Sequence, residues 1–525
     1  NMKIKIYALS LLFVFNAYIA TAVDYYYKAS VGDFNDGNSW YLDASRTQVA
    51  GAYPVTADDN AILFKMDKNS GAWIKQINSY MGDLIASGNA SITYSKVLLG
   101  QSVPINFNIE GKLKVQACDV ATKMDFNTSF AADVSDTGKL ELNIGGIEVG
   151  TEVYGGGSYS AYGDVALSFS LSDWRLPTTI NVAGDVKLGG GIMGVDSIST
   201  ITFNANETNI SGIVEIQSNG SKYSQFFMAR DNGTLRLGGL KSTMRSDGKL
   251  GGSFLNSSSS MNSTIVFTNA AGTDYMFKGE FSDFGLWATS GSGKMNVVME
   301  GEGTQRIYSY RSAGMENATM NGTFTIKSGR FFLENSSIKE ANRNGALSLE
   351  GGVFGTSRDD TSSSGTVYFK TAEFKSGGLA YENFVNQNSI ESQASDKIVI
   401  TGQLIKSGSE KISVDFSDYN GNALDLNGYE LAESIDGIEN WIEILTAGSL
   451  SGFDMTNSIG EGEYDANSDF YGIGVDNAYA VFKWVESLDN GYSLQVGFAQ
   501  VPEPAEVAAF AGAAALIAIM LRRRR

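Results

Sequence analysis

One short unit recurs along the middle of the chain: a glycine, a polar residue, then apolar residues at alternate positions. Gly111-Lys112-Leu113-Lys114-Val115, Gly138-Lys139-Leu140-Glu141-Leu142, Gly163-Asp164-Val165-Ala166-Leu167 and Gly184-Asp185-Val186-Lys187-Leu188 are its clearest copies. Others begin at Gly233, Gly248, Gly293, Gly322, Gly345 and Gly365, with near copies at Ser199, Gly212 and Ser263, many of them 20 to 30 residues from the next. The glycine supplies a turn and the alternation gives a strand with one apolar face. Such a strand cannot bury that face alone, but stacked coils of similar length build a continuous core. The expectation is therefore all-β: an elongated right-handed parallel β-solenoid. A string of β-sandwiches would also show strands at regular spacing. With 60 glycines but only 5 prolines in 525 residues, the composition favours the solenoid, because proline cannot donate to a ladder between coils. Ser257-Ser258-Ser259-Ser260 and Ser362-Ser363-Ser364 read as loops between coils.

After Lys411 the unit is lost. Asp415-Phe416-Ser417, Ile442-Glu443-Ile444-Leu445 and Tyr492-Ser493-Leu494-Gln495-Val496 are separated by acidic, irregular loops. The expected organisation is a signal peptide over 1–22, an N-terminal β coil or cap region over 23–110, solenoid repeats over 111–410, a C-terminal β cap over 411–500 and a sorting tail over 501–525.

Much chemistry is excluded at once. The chain has no histidine, so Ser-His-Asp and Cys-His catalysis and His-ligated zinc are out of reach. Cys118 is the single cysteine, read as a buried structural thiol; no intrachain disulfide or thiolate cluster can form. A formal charge of −19 argues against nucleic acid as a partner. Asp418 to Asp425 and Asp465-Ala466-Asn467-Ser468-Asp469 place oxygen ligands at alternate positions, yet lack the glycine and the bidentate acid of a calcium loop, and read as Asx turns. Asp58-Asp59 and Asp359-Asp360 read as turn acids, and Tyr25-Tyr26-Tyr27 as the start of a strand. No catalytic residue, metal site or cofactor is assigned.

Both ends carry processing signals. Lys3 and Lys5 precede an apolar run, Ile6 to Ala17, and Ala20-Thr21-Ala22 then offers small residues before Val23, so signal cleavage is expected there. The other end reads Val501-Pro502-Glu503-Pro504-Ala505-Glu506, an apolar run from Val507 to Leu521, and Arg522-Arg523-Arg524-Arg525. A helix over the fifteen residues 507–521 would rise about 22 Å, with the arginines holding the C-terminus on the cytoplasmic side.

The Pro-Glu-Pro motif, the short apolar segment and the arginine cluster, in that order over Val501 to Arg525, resemble the PEP-CTERM sorting signal of exopolysaccharide-making bacteria. The resemblance implies export through the translocon and a transient membrane anchor. It also implies an exosortase, a membrane cysteine protease, that recognises Pro502, Glu503 and Pro504, cuts nearby and delivers the protein to the cell surface or matrix. The stretch Gly322-Thr323-Phe324-Thr325-Ile326-Lys327-Ser328-Gly329 through Gly345 to Gly355 is similar to the repeats of autotransporter passenger domains, in which strand, Ser-Gly turn, strand and Gly-Gly turn alternate. The segment from Trp40 through Pro54 to Ala61 is similar to the coil that often opens such passengers. The expected function is that of an exported surface or matrix protein, structural or adhesive, with exopolysaccharide or other glycans as partners and no enzymatic activity. The alternatives are a β-helical polysaccharide-active enzyme with the same tail, or an unprocessed membrane-tethered envelope protein.

Overall fold

Alternation becomes burial. In the strand Val165–Ser170, Val165, Leu167 and Phe169 are buried while Ala166, Ser168 and Ser170 are half-buried, and Ser199–Phe203 repeats the pattern. The computed structural model describes residues 23–501 apart from 29, 31, 65–71, 75–77, 95–104, 118–120, 129–138, 154–163, 172–176, 190–197, 218–223, 244–251, 259, 284–291, 310–318, 336–337, 339, 357–364, 383, 385–395, 427–430, 434–436 and 488–490. Among these the fold is all-β, and 36 strands join one large mixed sheet.

Most of that sheet consists of parallel ladders. The first part of Leu140–Val153 pairs with the first part of Ile105–Ala117 on one side and with Thr178–Val182 on the other, and the file continues through Glu207–Gln217, Gly233–Thr243 and Asn262–Phe267. The second part of the same long strands pairs with Val186–Leu188 and then with the far end of Glu207–Gln217. A third ladder runs from Thr122–Thr128 through Val165–Ser170, Ser199–Phe203, Gln225–Met228 and Ser253–Asn256. The chain visits the three in turn and starts again. Where the first ladder bends into the second, Gly145 permits close approach: a Cβ there would stand 2.3 Å from the carbonyl oxygens of Glu110 and Gly111.

The glycine-led units occupy these strands, and the polar residue after the glycine joins one rung to the next. Asp185 Oδ1 accepts the N–H of Ile213 at 3.0 Å and Asp164 Oδ1 that of Ile198 at 2.8 Å. Inside, like residues fall over like residues. Phe126, Phe169, Phe203, Phe226, Phe254 and Phe281 form a file with successive ring centroids 5.1, 5.0, 5.3, 4.6 and 5.7 Å apart. In the stretch likened to passenger repeats, the Ser-Gly step is a turn with Gly329 at φ +59°. The Gly-Gly step is instead a register shift inside the strand Ala346–Thr356.

The expected solenoid between two helices is corrected in two respects. First, the sheet is mixed, not wholly parallel. Tyr26 and Tyr27 pair antiparallel with Tyr41 and Trp40, and Gly491–Gln500 pairs antiparallel with both Ala478–Ser487 and Ile442–Ser451. The physical reason is connection length: the three residues between Ala478–Ser487 and Gly491–Gln500 can make a hairpin but not the crossover that parallel neighbours need. Second, the helical elements among the described residues are short 3-10 turns at Gly37–Ser39 and Glu340–Asn342, and no helix there is long and apolar enough to cross a membrane. That overturns the expected signal and transmembrane helices as parts of the observed fold, and with them the localisation through a C-terminal membrane helix. Segments 1–22 and 507–521 lie outside the described residues, and fifteen apolar residues fall short of the roughly 30 Å hydrocarbon core.

Candidate functional site: an asparagine-lined groove and a caged arginine

The outer face of the first ladder carries a row of asparagines, of which Asn108 is buried and Asn143, Asn181 and Asn209 are half-buried. Asn143 stands opposite Asn108 and Asn181, and Asn181 opposite Asn209. Their amides bond in one direction: Asn209 Nδ2 donates to Asn181 Oδ1 at 3.0 Å, Asn181 Nδ2 to Asn143 Oδ1 at 2.9 Å, and Asn143 Nδ2 to Asn108 Oδ1 at 2.9 Å. Asn108 Nδ2 completes the line on the carbonyl of Ser79 at 3.2 Å. Parallel in-register pairing is what brings identical amides together, as in stacked strands generally. Beside the row lies a groove of about 400 Å³ whose corner is formed by Gly145, Ala183 and Ser211. Of its lining residues only Glu110 ionises. At the head of the row, opposite Asn108, Tyr80 is exposed.

A second polar cluster sits on later rungs of the second ladder. Arg306, in the strand Thr304–Ser309, is only 4% exposed. Its Nε donates to both oxygens of Asp274 at 2.9 and 3.0 Å, and its Nη2 to Glu382 Oε1 at 2.8 Å. The guanidinium lies 4.3 Å from the ring of Phe332 and 4.4 Å from that of Tyr419. Burial works against its charge, but the bonds and attraction of Glu382 and Asp274 outweigh burial and raise its pKa. Arg330 donates to Asp415 at 2.8 Å. Asp415 is pushed up by burial, yet the bonds from Ser417 and from Arg330 bring its pKa below the ordinary value. The carboxylates here are matched to arginines, a geometry that fixes loops more readily than it moves protons.

A third group is an acid held by backbone N–H groups, with Lys294 as a neighbouring charge. Asp283 is buried, accepts the N–H of Met295 at 2.8 Å and that of Asn321, and has its pKa pushed up by burial to about 7 despite those bonds.

Several expected residues are placed. Asp418 Oδ1 accepts the N–H groups of Asn420 and Asn422, both at 2.8 Å, and Asp465 Oδ1 that of Asn467 at 2.9 Å, so both loops are Asx turns. Asp59 receives the N–H groups of Val55 and Thr56, and Asp58 is exposed. Tyr25 to Tyr27 lie in the strand Asp24–Tyr27, with Tyr27 packed edge-on against Trp40. Among the described residues no group of three or more acidic or cysteine side chains could hold a metal ion. Pro502, Glu503, Pro504, Arg522 to Arg525, Ala20, Ala22, Cys118, Ser259, Ser362 to Ser364, Asp359 and Asp360 lie outside the described residues.

Reading the sequence for catalytic constellations missed both clusters. The asparagine row had a signal: Asn108-Ile109-Glu110-Gly111, Asn143-Ile144-Gly145-Gly146, Asn181-Val182-Ala183-Gly184 and Asn209-Ile210-Ser211-Gly212 share asparagine, a β-branched residue, any residue, then glycine. Arg306 had none, since its partners stand 32 and 76 positions away. No protein-family model and no curated protein sequence matches the chain.

Proposed function

We propose that this is an exported, non-catalytic structural and adhesive protein whose C-terminal tail is read by an exosortase-type protease after passage through the translocon. One observation carries the structural part: outer polar side chains are spent on joining neighbouring rungs. The asparagine row, Lys112 with Glu148 at 2.6 Å, Lys327 with Glu300 at 3.0 Å and Lys375 with Glu350 at 2.8 Å all bond across strands, as cohesion along a scaffold requires. Support for sorting comes from the resemblance of Pro502-Glu503-Pro504 and Arg522 to Arg525 to the PEP-CTERM signal. Proline disfavours the helical backbone at its own position and at the residue before it, and an extended segment is the form a protease cleft accepts.

The test is an internal epitope tag followed by intact mass in a native host. Wild type is expected to lose its tail, and a variant with Pro502, Glu503 and Pro504 all changed to alanine to keep precursor mass. Normal processing of the alanine variant sinks the sorting reading.

A further inference from the structure

We infer that the asparagine-lined groove binds a neutral, hydroxyl-rich polymer, an unbranched glycan strand lying across the rungs. This rests on the adhesive reading above and supplies its partner and site. An amide offers two N–H donors and an oxygen with two lone pairs, and the ladder consumes one donor and one acceptor of each interior asparagine. Asn143 and Asn181 therefore each keep one N–H and one lone pair for the groove beside them. A sugar hydroxyl both donates and accepts, so it is the partner that satisfies both.

The geometry repeats at the right scale. Four amides on neighbouring rungs, about 4.8 Å apart, span about 14 Å, close to the length of a few pyranose units in an extended chain. The ladder also fixes each side chain in advance, so little rotamer freedom remains to be lost on binding. Tyr80, exposed opposite Asn108, places an aromatic face at the head of the row on which a sugar ring can stack.

Charge selects the class of polymer. A chain of formal charge −19 repels polyanions, and a groove with Glu110 as its single ionisable lining residue gives a polycation little to hold.

The experiment is affinity electrophoresis and calorimetry of the full chain with β-1,4- and β-1,3-linked glucose hexaoses, amylose, and polygalacturonate as the anionic control. At least one neutral glycan is expected to bind and polygalacturonate not to. Ala183 is exposed at the groove corner, so Ala183→Trp fills the groove while every asparagine of the row is kept. It should weaken binding about tenfold or more at unchanged melting temperature. The double change Asn143→Ala and Asn181→Ala should weaken it by a similar factor, and Tyr80→Ala by less. No binding by any neutral glycan, equal binding by Ala183→Trp, or preference for the polyanion overturns the inference. Tail processing is read separately by mass, so failure of the groove and failure of the sorting reading are told apart.

Discussion

The buried rings between Thr122 and Ser282 lie nearly flat on one another, whereas those between Phe384 and Phe498 meet at many angles. In the first region Phe226 and Phe254 are inclined by only 8° and Phe169 and Phe203 by 14°. In the second, Phe384 meets Phe498 at 77° and Phe453 meets Trp484 at 73°, although Phe416 still lies at 16° to Phe482. Pairing direction accounts for the contrast. Parallel rungs in constant register set the same residue in the same rotamer above itself, so rings align. A hairpin sets unlike residues opposite each other, and aromatic pairs then take edge-on contacts, which their quadrupoles favour. Buried charge differs too. The C-terminal region pairs Lys406 with Asp469 and Lys483 with Glu463, while Asp283 is held by backbone N–H groups.

The sharpest way to break the comparison is Phe226→Ala. It removes a ring packed between Phe203 and Phe254 and should cost about 4 kcal/mol. Hydrogen exchange should speed in Ser199–Phe203 and Ser253–Asn256 and stay unchanged in Ala478–Ser487; uniform loss of protection would show that the two regions do not differ in cohesion. Next in size is Arg306→Met, which strands Glu382 in a buried site and should cost about 3 kcal/mol by denaturant titration. Adding Glu382→Leu should recover most of it, and a double variant no better than the single would refute the caged-charge account.

A smaller effect is expected from Asp283. Its folded pKa, about 7, lies above the ordinary aspartate value of 3.8, so the folded state binds the extra proton and stability rises as pH falls through that window. The gain between about pH 7 and pH 5.5 should be about 1.5 kcal/mol. Lys294 is the neighbouring charge, and its attraction works against the upward shift. Asp415, Glu215 and Glu300 have lowered values and destabilise the fold only at more acidic pH. Melting curves across the window should therefore rise toward acid for wild type and lie flat for Asp283→Asn; equal slopes would disprove the assignment. The smallest change is Lys112→Met, which breaks the exposed pair with Glu148 and should cost under about 1 kcal/mol, less in high salt.

What could be read from the sequence was local. Alternation after each glycine marked strands and their inward residues: Leu235, two positions after Gly233, is 1% exposed. The ordering of strands into ladders depends on where loops of unequal length return the chain, so Asn108, Asn143, Asn181 and Asn209, at separations of 35, 38 and 28, show no fixed period. The mixed sheet was hidden for the same reason, because strand direction is decided by connections and not by strand composition. Arg306 stayed invisible since burial of a charge is a property of what folds over it, here Phe332 below and Tyr419 above.

The like-over-like register of the asparagine and phenylalanine files has a consequence for descent. Loss of a whole rung, such as the stretch that carries Asn181 and Phe203, would bring Asn143 over Asn209 and Phe169 over Phe226, so the new neighbours match as the old ones did. Duplication would match equally well. Relatives of this chain should thus differ in the number of their rungs more freely than in the identity of the residues that face each other across them.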